Sequence, residues 1–135
     1  MTSPIVALKD AIRLRLIADP VVLGLLHEPK VFADPPKHAA FPHVAFISAQ
    51  ARENGTATDE GHSIDLTLGI WSRHKGSAEG LTISTAIAAT LASMSAALAG
   101  HHLVNLSVRS VEPVLSRDGE TWRSLMRIRA VTEVL

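Results

Sequence analysis

Ser63-Ile64-Asp65-Leu66-Thr67-Leu68-Gly69-Ile70-Trp71-Ser72-Arg73 is the stretch on which the fold turns. Ile64, Leu66, Leu68 and Ile70 occupy alternate positions, with Asp65, Thr67, Gly69, Trp71 and Arg73 between them. A period of two sends these sets to opposite faces of a strand that buries one side. Gly76-Ser77 closes the strand, and the apolar period then changes. Ile83, Ile87, Leu91, Met94 and Leu98 follow at spacings of four, four, three and four. That is the stripe of a helix lying on the sheet. The spacing predicts a helix over 78–99, stopped at Gly100.

The flanking segments extend the pattern. Toward the N-terminus, His43 to Ser48 reads as a strand and Lys30 to Ala33 as a short one. Asp34-Pro35-Pro36 confines the latter to an edge or a strand end. The polar run from Ala51 to Gly61 holds Asn54-Gly55, a turn signal, and reads as a long mobile hairpin loop. Ser3-Pro4 opens a helix carrying Ile5, Leu8, Ile12 and Leu16 on one side. Asp19-Pro20 ends or interrupts it, and Val21 to Leu26 offers another turn. Toward the C-terminus, Leu103 to Leu115 and Thr121 to Val134 are strands joined by a turn at Arg117-Asp118-Gly119-Glu120. The expected fold is α+β: an antiparallel sheet of about four strands with one long and one shorter helix packed on one face. The whole of 1–135 is expected to form one domain.

Bulk composition narrows the function. A chain of 135 residues buries roughly two-thirds of its unfolded surface and needs no staples. It has no cysteine, which excludes disulfides, thiol chemistry and Cys-based zinc sites. Thirteen basic residues balance thirteen acidic ones. Bulk electrostatic binding of nucleic acid and a polybasic membrane anchor are therefore not expected. Gly80 to Gly100 carries no charge, but its alanine, serine and threonine content is not that of a membrane span. The start of the chain lacks the features of a signal peptide.

Catalytic signatures are missing. There is no Gly-x-Ser-x-Gly, phosphate-cradling glycine loop or dinucleotide fingerprint. The seven histidines show neither His-x3-His nor His-Glu-x-x-His spacing. No enzyme activity, metal or cofactor is expected.

Two surfaces stand out instead. On the last strand, Arg123, Arg127 and Arg129 share one face, and Arg73 and Trp71 can lie on that face too. Three arginines in a row repel unless paired. They form either a solvated face, partly neutralised by Asp65 and Glu133, or a partner surface rich in favoured interface residues, or a lining for nucleic acid. On the long helix, the side opposite the apolar stripe holds Thr85, Ala89, Ser93 and Ala96 instead of charges. It is either a water-exposed Ala-rich face or a contact between protomers. Trp71, Arg73, Ala89, Arg123, Arg127, Arg129 and, in the loop, Asn54 and Gly55 are the candidate interaction residues.

Several stretches together resemble one family. They are Val31-Phe32-Ala33-Asp34-Pro35-Pro36, Phe41-Pro42-His43-Val44, and Leu66 to Arg73 followed by Gly76. With them go the Ala-rich helix near Leu98 and Gly100, His102-Leu103-Val104, and Asp118 to Arg123 leading to Arg127 to Glu133. The order and spacing of these stretches is similar to that of the tail-completion, or tail-terminator, proteins of long-tailed phages, prophages and gene transfer agents. The resemblance implies a structural protein made in the bacterial cytoplasm and incorporated into a phage or phage-like particle. It implies a homo-oligomer, a hexameric ring, that caps the tail tube and meets the head-side connector. DNA would only pass through its lumen, and no membrane, cofactor or catalytic residue is implied. The alternatives are a head-side neck or adaptor protein of the same particle and a small ligand-binding domain.

Overall fold

The computed structural model describes residues 3–34, 36–53, 61–73, 76–94 and 97–134. Three helices and six strands follow the order α1 (Pro4–Ile17), α2 (Pro20–Leu26), β1 (Val31–Phe32), β2 (His43–Glu53), β3 (Gly61–Ser72), α3 (Ala78–Ala92), β4 (Ala97–Leu98), β5 (His101–Leu115) and β6 (Trp122–Val134). They form one mixed sheet in the order β1-β2-β3-β6-β5-β4. The α+β reading holds, and its details need correction. The four long central strands were expected, as was the short strand at Lys30 to Ala33, which is β1; β4, two residues long, is the addition at the other edge. β1 runs parallel to β2, so the sheet is not wholly antiparallel. Helices α1 and α3, of 14 and 15 residues, are nearly equal; the seven-residue α2 is the short one.

The predicted helix over 78–99 ends early, at Ala92. Leu98 then turns inward as part of β4, paired with His101. The apolar period continued past the helix because β4 buries the same side of the sheet. Ser77 sits at the N-cap of α3 but makes no side-chain capping bond. The hairpin between β2 and β3 also differs. Paired strand continues through Glu53↔His62, so part of the presumed loop is ladder. Asn54 and Gly55 lie outside the described residues.

The chain breaks where its caps are. Ser3 Oγ accepts from Val6 N–H at 3.4 Å. Asp19 caps α2 by accepting from Val21 and Val22 N–H at 2.8 and 3.2 Å. Pro20, lacking an N–H, takes the first helical position where none is needed. Thr90 Oγ1 of α3 donates to the other oxygen of Asp19, which ties α2 to α3 and holds the Asp19 carboxyl below its ordinary value. Asp19→Ala removes all three bonds. It should cost about 1–2 kcal/mol, read as a lower urea midpoint, and Thr90→Val should reproduce only part of that loss.

The core forms between the helices and one sheet face. Leu8, Ile12 and Leu16 of α1, and Ile83, Ile87 and Leu91 of α3, have no exposed surface. They close over Ile64, Leu66, Leu68 and Ile70 of β3 and Met126, Ile128 and Ala130 of β6. Between β5 and β6, Gly119 has φ +72°. Asp118 accepts from Glu120 N–H, Thr121 N–H and Thr121 Oγ1 at 2.8–2.9 Å. Those donors lower its carboxyl pKa to about 2.

Candidate interaction surface

The sheet face turned away from the helices carries the candidate site. Register places Asp65 beside Arg129, Thr67 beside Arg127 and Trp71 beside Arg123. Beyond them, β2 presents Ser48, Gln50 and Arg52, and β5 presents Ser107, Ser110 and Glu112. The arginine row is therefore partly paired. Asp65 accepts from Arg52 at 2.8 Å and from Arg129 at 3.1 Å. Glu112 accepts from Arg127 at 3.3 Å. These pairs are roughly half-exposed, so each is worth about 0–1 kcal/mol. Their main effect is to relieve repulsion and fix the guanidinium groups in place.

Asp65 was expected to neutralise the row and does. Glu133 was expected to help, but it lies at the far end beside His102 and Gly61. Glu112 takes that part instead. Arg123 contributes a buried Nε with no hydrogen-bond partner among the described residues. Arg109 sits at a break in the β5–β6 register, between Val108 and Ser110. It joins Asp65, Arg127 and Arg129 around an open concavity of roughly 450 Å³. Counting Arg52, Arg109, Arg123, Arg127 and Arg129 against Asp65 and Glu112, the face holds more cations than anions. Sequence reading missed Arg52, Arg109 and Glu112, because only the strand register brings them to this face.

Trp71 and Arg73 belong to a second cluster at one end of the sheet. The Trp71 indole stacks on His43, with centroids 5.1 Å apart and planes 10° apart. Phe41 lies 5.2 Å from the same imidazole. Arg73 follows the end of β3. Its guanidinium lies 4.5 Å above the Phe41 ring, donates to Thr121 Oγ1 at 3.0 Å and stands 3.7 Å from Asp118. Arg73 thus ties β3 to the β5–β6 turn and stands apart from the arginine row. The signal for this cluster in the sequence was Phe41-Pro42-His43, whose imidazole meets Trp71 through the β2–β3 register and carries the Phe41 ring beside it.

Burial holds the His43 pKa below its ordinary 6.5, and Lys30 adds to the effect. The unfolded chain then binds a proton on this residue at a pH where the folded chain does not. The contribution of His43 is complete above pH 6.5 and declines as pH falls below that value. In a Trp122→Phe background, the emission of Trp71 should report a His43 titration with a midpoint below 6.5. A midpoint at or above 6.5 would show an exposed imidazole.

Ala89 lies on the opposite layer, exposed on α3 with Thr82, Thr85 and Ala92, with Ser93 at the C-cap; Ala96 lies outside the described residues. That face carries no charge of its own; Arg15 of α1 reaches it and donates to Ser93 Oγ at 3.0 Å. The candidate residues therefore fall in three places and do not form one site: the arginine face, the aromatic end and the helix back.

In chemical terms, the carboxylates on the sheet face accept from arginines, and none is paired with a nucleophile. Among the described residues no group of three or more His, Asp or Glu could hold a metal ion. No helix among them is long and apolar enough to cross a membrane. What the fold presents is a small α+β domain with a buried core between its helices and one sheet face, and two chemically distinct outer faces. The model of the tail completion protein gp17 family matches residues 10–133, and the chain belongs to that family. It is a structural virion tail protein, not an enzyme. The fold is similar to that of a solved chain described as the virion of a native gene transfer agent particle. The TM-score is 0.88 at 21% identity, covering 98% of this chain and 99% of the other. No curated protein matches the chain.

Proposed function

We propose that this protein is the tail-terminating subunit of a phage-like particle, of the gene transfer agent kind. It assembles as a ring, six-fold, that caps the tail tube and meets the head-side connector. The observation that carries this reading is the family match over residues 10–133, joined to end-to-end likeness with a chain from such a particle. The two outer faces fit the role. A ring built by head-to-tail contacts uses two different surfaces of each subunit, and the two outer faces then remain for the tube and the connector. A net charge of zero gives little repulsion between copies. A surplus of arginine on one face suits a lumen through which DNA passes, since phosphates attract it without base-specific contacts.

The test is native mass across concentration and salt, alone and with polymerised tube protein. A discrete hexamer, or one formed on the tube, supports the ring. Arg127→Glu sets a carboxylate beside Glu112, the ion-pair partner of the arginine, and should weaken assembly onto the tube or connector by roughly tenfold or more, the equivalent of about 1.4 kcal/mol. Ala89→Trp tests the helix back in the same way. A chain that stays monomeric with the tube present and binds only the connector would overturn the capping role.

A further inference from the structure

The sheet has two open edges, and they are complementary. At one side, β1 covers β2 only at Val44 and Ala45. At the other, β4 covers β5 only at His101 and His102. The rest of β2, and of β5 from Leu103 onward, has no neighbouring strand on its outer side among the described residues. Such an edge presents unpaired backbone donors and acceptors to any strand that meets it. The exposed large apolar residues concentrate here. Of the seven such residues among the described ones, Ile47 is on β2 and Val104, Val111 and Leu115 are on β5, with Val104 inside the run that would meet a second copy.

Register shows what each edge would meet in a second copy. Strands β2, β3, β6 and β5 alternate in direction, so β2 and β5 point opposite ways. A copy placed side by side with its strands in the same orientation therefore brings its β2 antiparallel to the first copy's β5. Following the ladders across the sheet, Ser48, Gln50 and Arg52 lie level with Ser110, Ser107 and Asn105. Ala49 and Ala51 lie level with Val108 and Leu106. All four of these are half-buried against the core. From Ser48 to Arg52, polar would meet polar on the arginine face and apolar would meet apolar on the helix face, while Glu53 comes level with Leu103 at the end of the run. No like charges would stand opposite each other. A slip of one residue would reverse every match. The register breaks at Phe46/Ser48, Leu103/Asn105 and Val108/Ser110, together with Pro113, leave Ser48 to Glu53 as the regular run and restrict pairing to a short window.

We propose that the β2 edge of one copy, Ser48 to Glu53, adds antiparallel to the β5 edge, Leu103 to Ser110, of the next, so that the sheet continues between subunits. This rests on the self-assembling reading above. It assigns the head-to-tail contact to the sheet edges and leaves the arginine face and the helix back free for other components.

The chain has no cysteine, so introduced ones report cleanly. Gln50→Cys should be combined in turn with Asn105→Cys, Ser107→Cys and Ser110→Cys in the full chain, assembled with tube protein where required. Within one chain each pair is three strand spacings apart, roughly 14 Å. That is far beyond the roughly 4–7 Å a disulfide spans. Mild oxidation should give a ladder of covalent dimers and higher forms for at least one pair, lost on reduction, while Gln50→Cys with Ala89→Cys stays monomeric. Native mass is measured alongside. An oligomer with no edge cross-link, or one cross-linked only through Ala89→Cys, would overturn the edge contact and leave self-assembly standing. No oligomer under any condition would overturn both.

Discussion

Ile87→Ala should lower the stability of the subunit by about 2–5 kcal/mol, the largest single loss among these substitutions. Ile87 has no exposed surface. It stands in the middle of the Ile83, Ile87, Leu91 stripe, where α3 crosses β3, β5 and β6. Removing its side chain leaves a void that strands on one side and α1 on the other cannot readily fill, since both are held by their own ladders and turns. Against a total of about 5–15 kcal/mol for a typical domain, this moves a urea transition by a large fraction of its midpoint. Ala89→Thr, two residues on and exposed, should stay within about 0.5 kcal/mol. Chemical denaturation of the two variants separates core stripe from outer face. Equal losses would mean that the back of α3 is packed as tightly as its front.

That contrast was legible in the sequence, and so was most of the fold. Strand β3 announced itself because one face is buried and the other is not, and the helix stripe because its spacing fits one side of a cylinder. Both signals come from a solvent boundary running along an element. The errors fell where that boundary gives no information. The helix over 78–99 was drawn too long because Leu98 buries the same side of the sheet from β4 as it would have from a helix. The parallel pairing of β1 escaped notice because two residues carry no period. The strands around Asn54-Gly55 were drawn too short because their outer ends, at Arg52 and Glu53, are polar on both faces. The candidate surface was legible only as a row. The alternation gave the faces of Arg123, Arg127 and Arg129, but their partners come from register between distant strands. Thus Asp65 was found, Glu112 was missed and Glu133 was misjudged. Arg73, one residue past β3, follows the turn at Asp118, and alternation could not show that.

Gly69→Val should cost about 1–3 kcal/mol and change the aromatic end of the sheet while leaving the fold intact. Gly69 is buried in the second half of β3, between Ala45 and Leu125. It is an unusual glycine for a strand, because its backbone needs no special conformation; what it supplies is room. A Cβ built there comes within 2.7 Å of Ile47 Cδ1 and of two Trp71 ring carbons. Trp71, two residues on and on the same face, folds its indole back over this gap and stacks on His43. Filling the gap pushes the indole off its seat. The β-branched side chain brings some gain in strand preference, too little to offset two displaced apolar groups. In a Trp122→Phe background the emission of Trp71 should shift to the red, and the His43 midpoint should move back toward 6.5 as the imidazole loses its cover. Gly69→Ala should show the same changes in smaller degree. Unchanged emission with an unchanged midpoint would mean that Ile47 alone yields and that the indole holds its place without the glycine. If the emission shifts and assembly survives, Trp71 is a packing residue of the subunit. If assembly is lost with the fold intact, the indole in its seated position forms part of the surface a neighbour recognises.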